Sequence, residues 1–263
     1  MFDLTGKVAF VTGASSGIGM HIARILAERG CDLIITARRK DRLEKIAGEL
    51  QSAHKVRVDV IEADLAMQDA PAKLYRDARA LREDIDILVN NAGFGKQNNV
   101  VDQTLEEIRA MIQVNITSLT ELTWLFAADM KARGNGRILQ LSSIGAFQPS
   151  PVYAVYSAAK SYVLSFSYAM NHELKGTGVS VTTLCPGITE TEFHDVAGHE
   201  KTGFMKSFSM TARKVALIGV NSMMKRKAMV IPGFSNAFNS WLMESMPRAF
   251  STAIAASLMK KEH

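Results

Sequence analysis

Residues 7–19 read Lys7-Val8-Ala9-Phe10-Val11-Thr12-Gly13-Ala14-Ser15-Ser16-Gly17-Ile18-Gly19. The apolar run at the start is typical of a buried strand, and the apolar spacing after the last glycine is typical of a helix. A strand, a glycine turn and a helix N-terminus in this order let backbone N–H groups approach a pyrophosphate, whose charge the helix dipole also favours. The spacing G-x-x-x-G-x-G matches the commoner G-x-G-x-x-G fingerprint in mechanism and not in letter. A turn that only connects two elements is the alternative.

The rest of the chain repeats this alternation of strand and helix. Apolar, β-branched runs predict strands near residues 7–12, 32–37, 56–62, 86–90, 136–142, 179–185 and 228–231. Such alternation favours a parallel sheet covered by helices on both faces. We therefore predict an α/β fold: a single doubly wound Rossmann-type domain over residues 1–263, with a seven-stranded, mostly parallel sheet. No Pro/Gly/Ser-rich linker divides the chain, and residues 235–263 form a C-terminal extension.

A second informative pair lies in the middle of the chain. Tyr156 and Lys160 stand four residues apart, which on a helix places a phenol and an ammonium on one face. A fixed cation favours the phenolate, so it brings the tyrosine pKa toward the range useful for acid–base catalysis. The alternative is a structural helix with a half-buried tyrosine and a lysine that extends to solvent.

Four further motifs follow in a defined order. They are Asn90-Asn91-Ala92-Gly93 after a strand, Asn115 in Val114-Asn115-Ile116, Ser142-Ser143 after another strand, and Pro186-Gly187 with Thr191 beyond it. Together with the glycine turn and the Tyr-x-x-x-Lys pair, they make the chain resemble the short-chain dehydrogenase/reductase family over about residues 4–235. Each motif alone is also explained as a turn, a strand end or a loop.

The resemblance implies roles for four catalytic residues. Tyr156 is expected to donate a proton to a carbonyl oxygen, which Ser143 holds. Ser143 lies thirteen residues before Tyr156, the usual family interval, whereas Ser142 is one out of register. Lys160 is expected to depress the Tyr156 pKa and to bind the nicotinamide ribose, while Asn115 anchors a water that relays protons. A cap or bend in a helix is the alternative for Asn115.

The resemblance also implies a set of cofactor contacts. Asp64 is expected at the adenine amino group, Asn91 to Gly93 along the adenosine, and Ile188 and Thr191 at the carboxamide, where Thr189 competes with Thr191. The cofactor-binding residues predicted in this way are Gly13, Ser15, Ser16, Gly17, Ile18, Gly19, Arg38, Asp64, Leu65, Asn91, Ala92, Gly93, Tyr156, Lys160, Pro186, Gly187, Ile188, Thr189 and Thr191.

The positive charge of the chain indicates which cofactor. The net charge is +5 and the pI about 9.2, which by itself is also typical of nucleic-acid or lipid binding. However, the densest basic cluster, residues 38–42, follows the second strand, where this fold places the adenosine ribose. Ala37 replaces the acid expected of an NAD enzyme, and Arg38 matches a 2′-phosphate, so NADP(H) is predicted and nucleic acid is not. A solvated helix start is the alternative for Arg39, Lys40 and Arg42.

Aromatic residues indicate an apolar carbonyl or alcohol as substrate. The predicted pocket residues are Phe147, Tyr153 and Phe193, with Pro149, Pro151, Phe204, Met205 and Phe208 nearby. Ordinary core packing is their alternative. A loose similarity to 3-ketoacyl and hydroxysteroid reductases leaves a long-chain substrate at a membrane surface open, and a non-catalytic NADP-sensing protein is the competing function class.

The remaining features concern assembly and location. For the C-terminal extension, an amphipathic helix over residues 236–250 that covers the pocket is one interpretation, and a subunit contact or a membrane-surface anchor are the others. The family resemblance implies a homodimer or homotetramer. Cys31 and Cys185 are too few for a disulfide framework and lack metal-ligand spacing, so both are expected to stay reduced and no metal is expected. No apolar run is long enough for a membrane span, and a cytoplasmic location is expected.

Overall fold

The fold is a parallel sheet between two layers of helices. The computed structural model describes residues 2–192 and 209–259. Within them, seven strands form one sheet in the order β3-β2-β1-β4-β5-β6-β9, and every neighbouring pair is parallel. The strands are β1 Val8–Thr12, β2 Asp32–Ala37, β3 Val58–Glu62, β4 Ile87–Asn90, β5 Gly136–Leu141, β6 Val179–Leu184 and β9 Met229–Val230. The predicted α/β fold with a seven-stranded sheet is confirmed.

Helices cover both faces of this sheet. They are α1 Gly17–Ala27, α2 Lys40–His54, α3 Ala70–Leu81, α4 Leu105–Ile112, α5 Leu119–Arg133, α6 Ala154–Glu173, α7 Ala212–Met224, α8 Phe234–Ser245 and α9 Arg248–Met259. Successive residues of β1 alternate between the two layers: Ala9 and Val11 pack in the cluster with α1 and α7, whereas Phe10 packs in the cluster with α3 and α5. Strands buried on both faces explain the continuous apolar runs of the sequence.

Two short strands were not predicted. β7, Thr189–Glu190, pairs in parallel with β8, Met210–Thr211, in a separate two-stranded sheet. Two residues are too few to show the alternation on which sequence-based prediction relies.

The C-terminal extension consists of two helices. Where one interpretation placed a single helix over residues 236–250, α8 and α9 are separated near Pro247. Proline lacks the N–H that would continue α8, but it is tolerated at a helix start, and its carbonyl oxygen accepts from the N–H groups of Phe250 and Ser251. None of the described helices is long and apolar enough to cross a membrane.

The strand order of the sheet indicates where a ligand would bind. The strand order reverses at β1, which has β2 on one side and β4 on the other. In open α/β sheets a ligand binds beyond the carboxyl ends of the strands at such a point. The glycine turn follows β1 there, the Asn91 segment follows β4, and Ser143 follows β5.

Candidate active site

The glycine turn after β1 packs closely against the segment after β4. Gly13 has a φ of +65°, and a Cβ there would lie 2.7 Å from Asn91 Nδ2 and 2.9 Å from the Ala92 Cα. Asn91 Nδ2 donates to the carbonyl oxygens of Thr12 at 3.0 Å and Gly13 at 3.1 Å. Only glycine at position 13 therefore lets the backbone of the turn pack directly against Asn91 and Ala92.

Thr12 fastens these two segments together, a role that sequence reasoning missed. Its hydroxyl accepts from the backbone N–H groups of Asn91 and Ala92, each at 3.0 Å, and donates to the Val89 carbonyl oxygen at 3.3 Å. A hydroxyl at the last position of a buried strand, directly before a glycine, is the sequence signal that could have indicated it.

The N-terminus of α1 suits a phosphate group. Ser16, the N-cap, makes no side-chain capping hydrogen bond with any described residue, and the first turn carries no acid. The first backbone N–H groups of a helix need partners, and the helix dipole favours an anion among them. With the glycine cradle beside it, this end of the sheet fits the pyrophosphate of a dinucleotide.

We expect Gly19→Ala to disrupt the cradle. A Cβ at Gly19 would lie 2.5 Å from the Gly13 carbonyl oxygen and against the side-chain amide of Asn91, so backbone must move. NADPH affinity, measured by quenching of tryptophan fluorescence, should fall by at least about tenfold, since displaced donors cost 1–3 kcal/mol. Gly48→Ala is the matched control: it lies in α2 with nothing within 4 Å of a new Cβ and should bind NADPH normally. Equal affinities of the two variants would contradict the cradle.

Helix α6 carries the predicted catalytic pair. Tyr156 lies in its first turn and Lys160 one turn later, with Lys160 Nζ 5.5 Å from the Tyr156 ring centroid. The Ser143 hydroxyl is hydrogen-bonded to Tyr156 and accepts from the Gly145 N–H at 3.1 Å. The Ser142 hydroxyl instead donates to the Lys160 carbonyl oxygen at 2.8 Å. The structure therefore brings Ser143, and not Ser142, to the phenol.

Asn115 and Lys160 meet beside Gly93. Lys160 is 4% exposed, and its Nζ donates to the Leu141 carbonyl oxygen at 2.9 Å. A Cβ on Gly93 would lie 3.1 Å from Lys160 Nζ and 2.5 Å from Asn115 Oδ1, so both atoms flank this glycine. Only glycine leaves room for them.

Asn115 occupies a π-helical turn, Gln113–Ser118, between α4 and α5. Its Nδ2 donates to the carbonyl oxygens of Met111 at 2.9 Å and Phe94 at 2.8 Å. The bond to Met111 supplies a hydrogen-bond partner to a helix carbonyl oxygen at the π-helical turn, as the alternative for this residue expects. Its Oδ1, however, is buried without a hydrogen-bond partner among the described residues. Buried polar atoms are rarely left unpaired, and π-turns concentrate at functional sites, so the cap alone does not account for this residue.

The pKa values of the catalytic pair depart from the expected direction. Burial raises the pKa of Tyr156 to about 12, and the hydrogen bond from Ser143 offsets this only in part. Burial also lowers the pKa of Lys160 to about 8. Lys160, whose Nζ donates to the Leu141 carbonyl oxygen, is not among the groups that lower the pKa of Tyr156, so the expected depression by Lys160 is not seen. A pKa of about 12 keeps the Tyr156 hydroxyl protonated at neutral pH, the form that the predicted proton donor requires.

Residues after β3 and β6 complete the cofactor side. Thr191 lies at the glycine turn, since a Cβ on Gly17 would be 3.1 Å from its methyl group. Thr189 is buried and donates to the Gly187 carbonyl oxygen at 2.9 Å, so it is the less suitable of the two threonines. Asp64 follows β3 and accepts from the Ala66 N–H at 3.0 Å.

The arginines of the basic cluster after β2 point in different directions. Arg38 is exposed, and no ion pair involves it within the described residues. Arg39, for which a solvated helix start was the alternative, reaches the glycine turn, with its NH2 nitrogen 3.1 Å from Ser15 Oγ and 2.9 Å from Ser16 Oγ. Sequence reasoning missed this contact because Arg38 and Arg39 are chemically identical neighbours, and only the folded structure shows which side chain points to the glycine turn.

The predicted substrate residues separate into two groups. Tyr153 lies edge-to-face with Tyr156, their ring centroids 6.2 Å apart. Phe147 is 4% exposed and packs with Ala146 and Cys185, which favours the alternative of core packing. Phe193 lies outside the described residues, as do Phe204, Met205 and Phe208. Both cysteines are buried free thiols.

The glycine cradle and the cluster of Ser143, Tyr156 and Lys160 are the arrangement expected of a dinucleotide-dependent oxidoreductase. The family model for short chain dehydrogenases matches residues 7–202, and the chain belongs to this family. An uncharacterized oxidoreductase of Staphylococcus saprophyticus is 34% identical over 191 residues, 73% of this chain and 82% of that relative. Family membership makes this protein an oxidoreductase of CH–OH and C=O groups.

Two solved structures extend the comparison. A short-chain dehydrogenase from Sphingobium yanoikuyae in complex with NADPH superposes with a TM-score of 0.79 at 31% identity, covering 92% of this chain and 97% of that one. The bulky-bulky ketone specific alcohol dehydrogenase from Comamonas testosteroni gives a TM-score of 0.77 at 29% identity, with coverages of 92% and 96%.

Proposed function

We propose that the protein is an NADPH-dependent carbonyl reductase that reduces an apolar ketone or aldehyde and runs reversibly as an alcohol dehydrogenase. The observation that carries this proposal is the cluster of Ser143, Tyr156 and Lys160 beside a glycine cradle. A protonated phenol hydrogen-bonded to a second hydroxyl can hold a carbonyl oxygen and protonate it as negative charge develops there.

Each residue has a distinct part in this reaction. When bound, the nicotinamide supplies the hydride. Tyr156 donates the proton to the substrate oxygen, and Ser143 orients that oxygen. Lys160 supplies positive charge beside the Tyr156 ring. Asn115 Oδ1, which is unpaired and lies with Lys160 Nζ beside Gly93, accepts from the water that relays protons to replace the one Tyr156 donates.

The preference for NADP(H) rests on charge at the end of β2. Ala37 supplies no carboxylate for ribose hydroxyls, while Arg38 and Arg39 follow directly. A planar guanidinium matches a phosphate bidentately, and an acid would repel it. The NADPH-bound Sphingobium relative supports the same preference.

The apolar substrate is supported by the surroundings of Tyr156. Tyr153 contributes an aromatic wall. Asn236, in α8, packs on Gly187, and Arg248 and Thr252 of α9 line a groove with Pro149 and Pro151. The ketone-specific Comamonas relative agrees with a bulky carbonyl compound.

The contact between Asn236 and Gly187 favours the lid interpretation of the extension, whereas the exposed Phe234 and Trp241 of α8 favour a subunit contact. Exposed side chains on other elements leave room for self-association: Trp124 of α5 is 69% exposed and Leu105 of α4 is 62% exposed. Large apolar groups left in solvent are typical of interaction surfaces, so we include a homodimer or homotetramer in the proposal.

The test is NADPH oxidation followed at the nicotinamide absorption band across ketones, aldehydes, 3-ketoacyl thioesters and steroids. We expect turnover of apolar ketones, with NADPH preferred over NADH. Tight NADPH binding without turnover of any compound would support the non-catalytic sensor instead. Turnover confined to 3-ketoacyl thioesters or steroids would select the corresponding reductase as the narrower function.

A further inference from the structure

A carboxylate lies where the basic cluster meets the glycine turn. Glu192 Oε2 is 2.8 Å from Arg39 NH1, and Glu192 Oε1 is 2.7 Å from Arg42 NH1. Glu192 follows Thr191, so it comes from the segment after β6, whereas both arginines come from the start of α2. The charges meet only in the folded chain, being about 150 residues apart in sequence.

Arg39 joins this carboxylate to the predicted ribose side of the cradle. While one guanidinium nitrogen bonds Glu192, the other lies 2.9 Å from Ser16 Oγ and 3.1 Å from Ser15 Oγ. Arg39 therefore brings a positive charge from the start of α2 to the N-cap of α1. A second anion arriving there must share Arg39 with Glu192.

The ion pairs with Glu192 are easily replaced. Arg39, Arg42 and Glu192 are 40%, 44% and 44% exposed, and pairs exposed to this degree contribute little to stability. A phosphate accepts bidentate hydrogen bonds from guanidinium as a carboxylate does, and with up to two charges it attracts the cation more strongly. A like charge on Glu192 nevertheless repels such a phosphate at contact distance.

We propose that Glu192 is a specificity-determining residue for the cofactor: its carboxylate occupies Arg39 and Arg42, and the 2′-phosphate of NADP(H) replaces it there. This inference rests on the proposed use of NADP(H). It assigns Arg39 a direct part in binding that phosphate, in addition to Arg38. It also makes Glu192 an internal competitor that weakens NADP(H) without affecting a cofactor that lacks the phosphate.

The experiment measures dissociation constants of NADPH and NADH by calorimetry for the wild type, Glu192→Gln, Arg39→Ala and the double variant. Glu192→Gln should bind NADPH about three- to tenfold more tightly, because one repulsive charge is removed at a partly exposed site. Its affinity for NADH should change less than about twofold. Arg39→Ala should weaken NADPH by about tenfold or more, and in the double variant the gain from Glu192→Gln should disappear.

Glu49→Gln is the matched control, since Glu49 is also 44% exposed and pairs with an arginine, Arg24, at 2.7 Å. It should leave both affinities unchanged. An unchanged or weaker NADPH affinity of Glu192→Gln, in a wild type that prefers NADPH, would overturn the role of Glu192 alone. A wild type that binds NADH as tightly as NADPH would instead overturn the proposed cofactor.

Discussion

Tyr156→Phe should lower kcat for ketone reduction by about 10²- to 10⁴-fold, the usual contribution of a general acid. The ring keeps its packing against Tyr153, but the hydroxyl that Ser143 contacts is lost, and with it the proton for the substrate oxygen. Because burial keeps the phenol protonated at neutral pH, the substitution removes a hydrogen-bond donor but no charge. NADPH affinity should therefore change little, and steady-state kinetics with a separate binding titration measures both.

Tyr75→Phe is the control for this variant. Tyr75 donates to Asp129 at 2.6 Å, far along the chain from the catalytic cluster and on another helix. Its loss should leave kcat within about twofold of wild type while costing about 1 kcal/mol of stability for one hydrogen bond. If Tyr156→Phe retains more than about a tenth of the wild-type kcat, Tyr156 is not the proton donor.

The sheet could be predicted because its signals are local. Six of the seven strands in the main sheet are runs of four to six residues, and a run such as Val179–Leu184 is buried throughout. The seventh, β9, has only two residues but lies in the apolar run 228–231. By contrast, β7 and β8 consist of two residues each, and their pairing depends on chain segments twenty residues apart. The break near Pro247 carried a signal, the proline itself, but the apolar residues on both sides favoured one helix.

Parts of the site that depend on fixed spacing were also predictable. Residues four apart on a helix lie on one face, which places Tyr156 and Lys160 together. The thirteen-residue interval before Tyr156 selected Ser143 over Ser142 as its hydrogen-bond partner. Spacing does not report hydration, however. The pKa of Tyr156 rises because the folded chain removes water from it, and sequence gave no measure of that burial.

Long-range polar contacts could not be predicted at all. The contact of Glu192 with Arg39 joins the segment after β6 to the start of α2, and nothing in either segment specifies the other. Thr12 is intermediate: its position at a strand end was visible, but its acceptance of two N–H groups from the Asn91 segment required the sheet order. Motifs therefore indicate which strand ends carry functional residues, but the order of the strands in the sheet is needed to know which of these ends are neighbours.

Lys160→Met should remove turnover yet leave the fold as stable as before or more stable. Methionine fills the same space, but it supplies no positive charge behind Tyr156 and no donor for a ribose hydroxyl. We expect kcat to fall at least about 10²-fold and NADPH affinity about tenfold. Lys73→Met, at an exposed lysine paired with Asp77, should change neither.

Stability then separates a functional lysine from a structural one. Folding lowers the pKa of Lys160 from its ordinary 10.5 to about 8, which costs about 3 kcal/mol at neutral pH. Losing the bond to the Leu141 carbonyl oxygen costs about 1–3 kcal/mol, so the variant should gain between about 0 and 2 kcal/mol. Between pH 8 and 10.5 the unfolded wild type binds more protons than the native protein, so wild-type stability rises with pH and the variant's advantage shrinks. Urea unfolding at pH 7 and pH 10 measures this change. A variant less stable than wild type at pH 7, or a stability difference that does not depend on pH, would show that Lys160 serves the fold and is not held buried for catalysis.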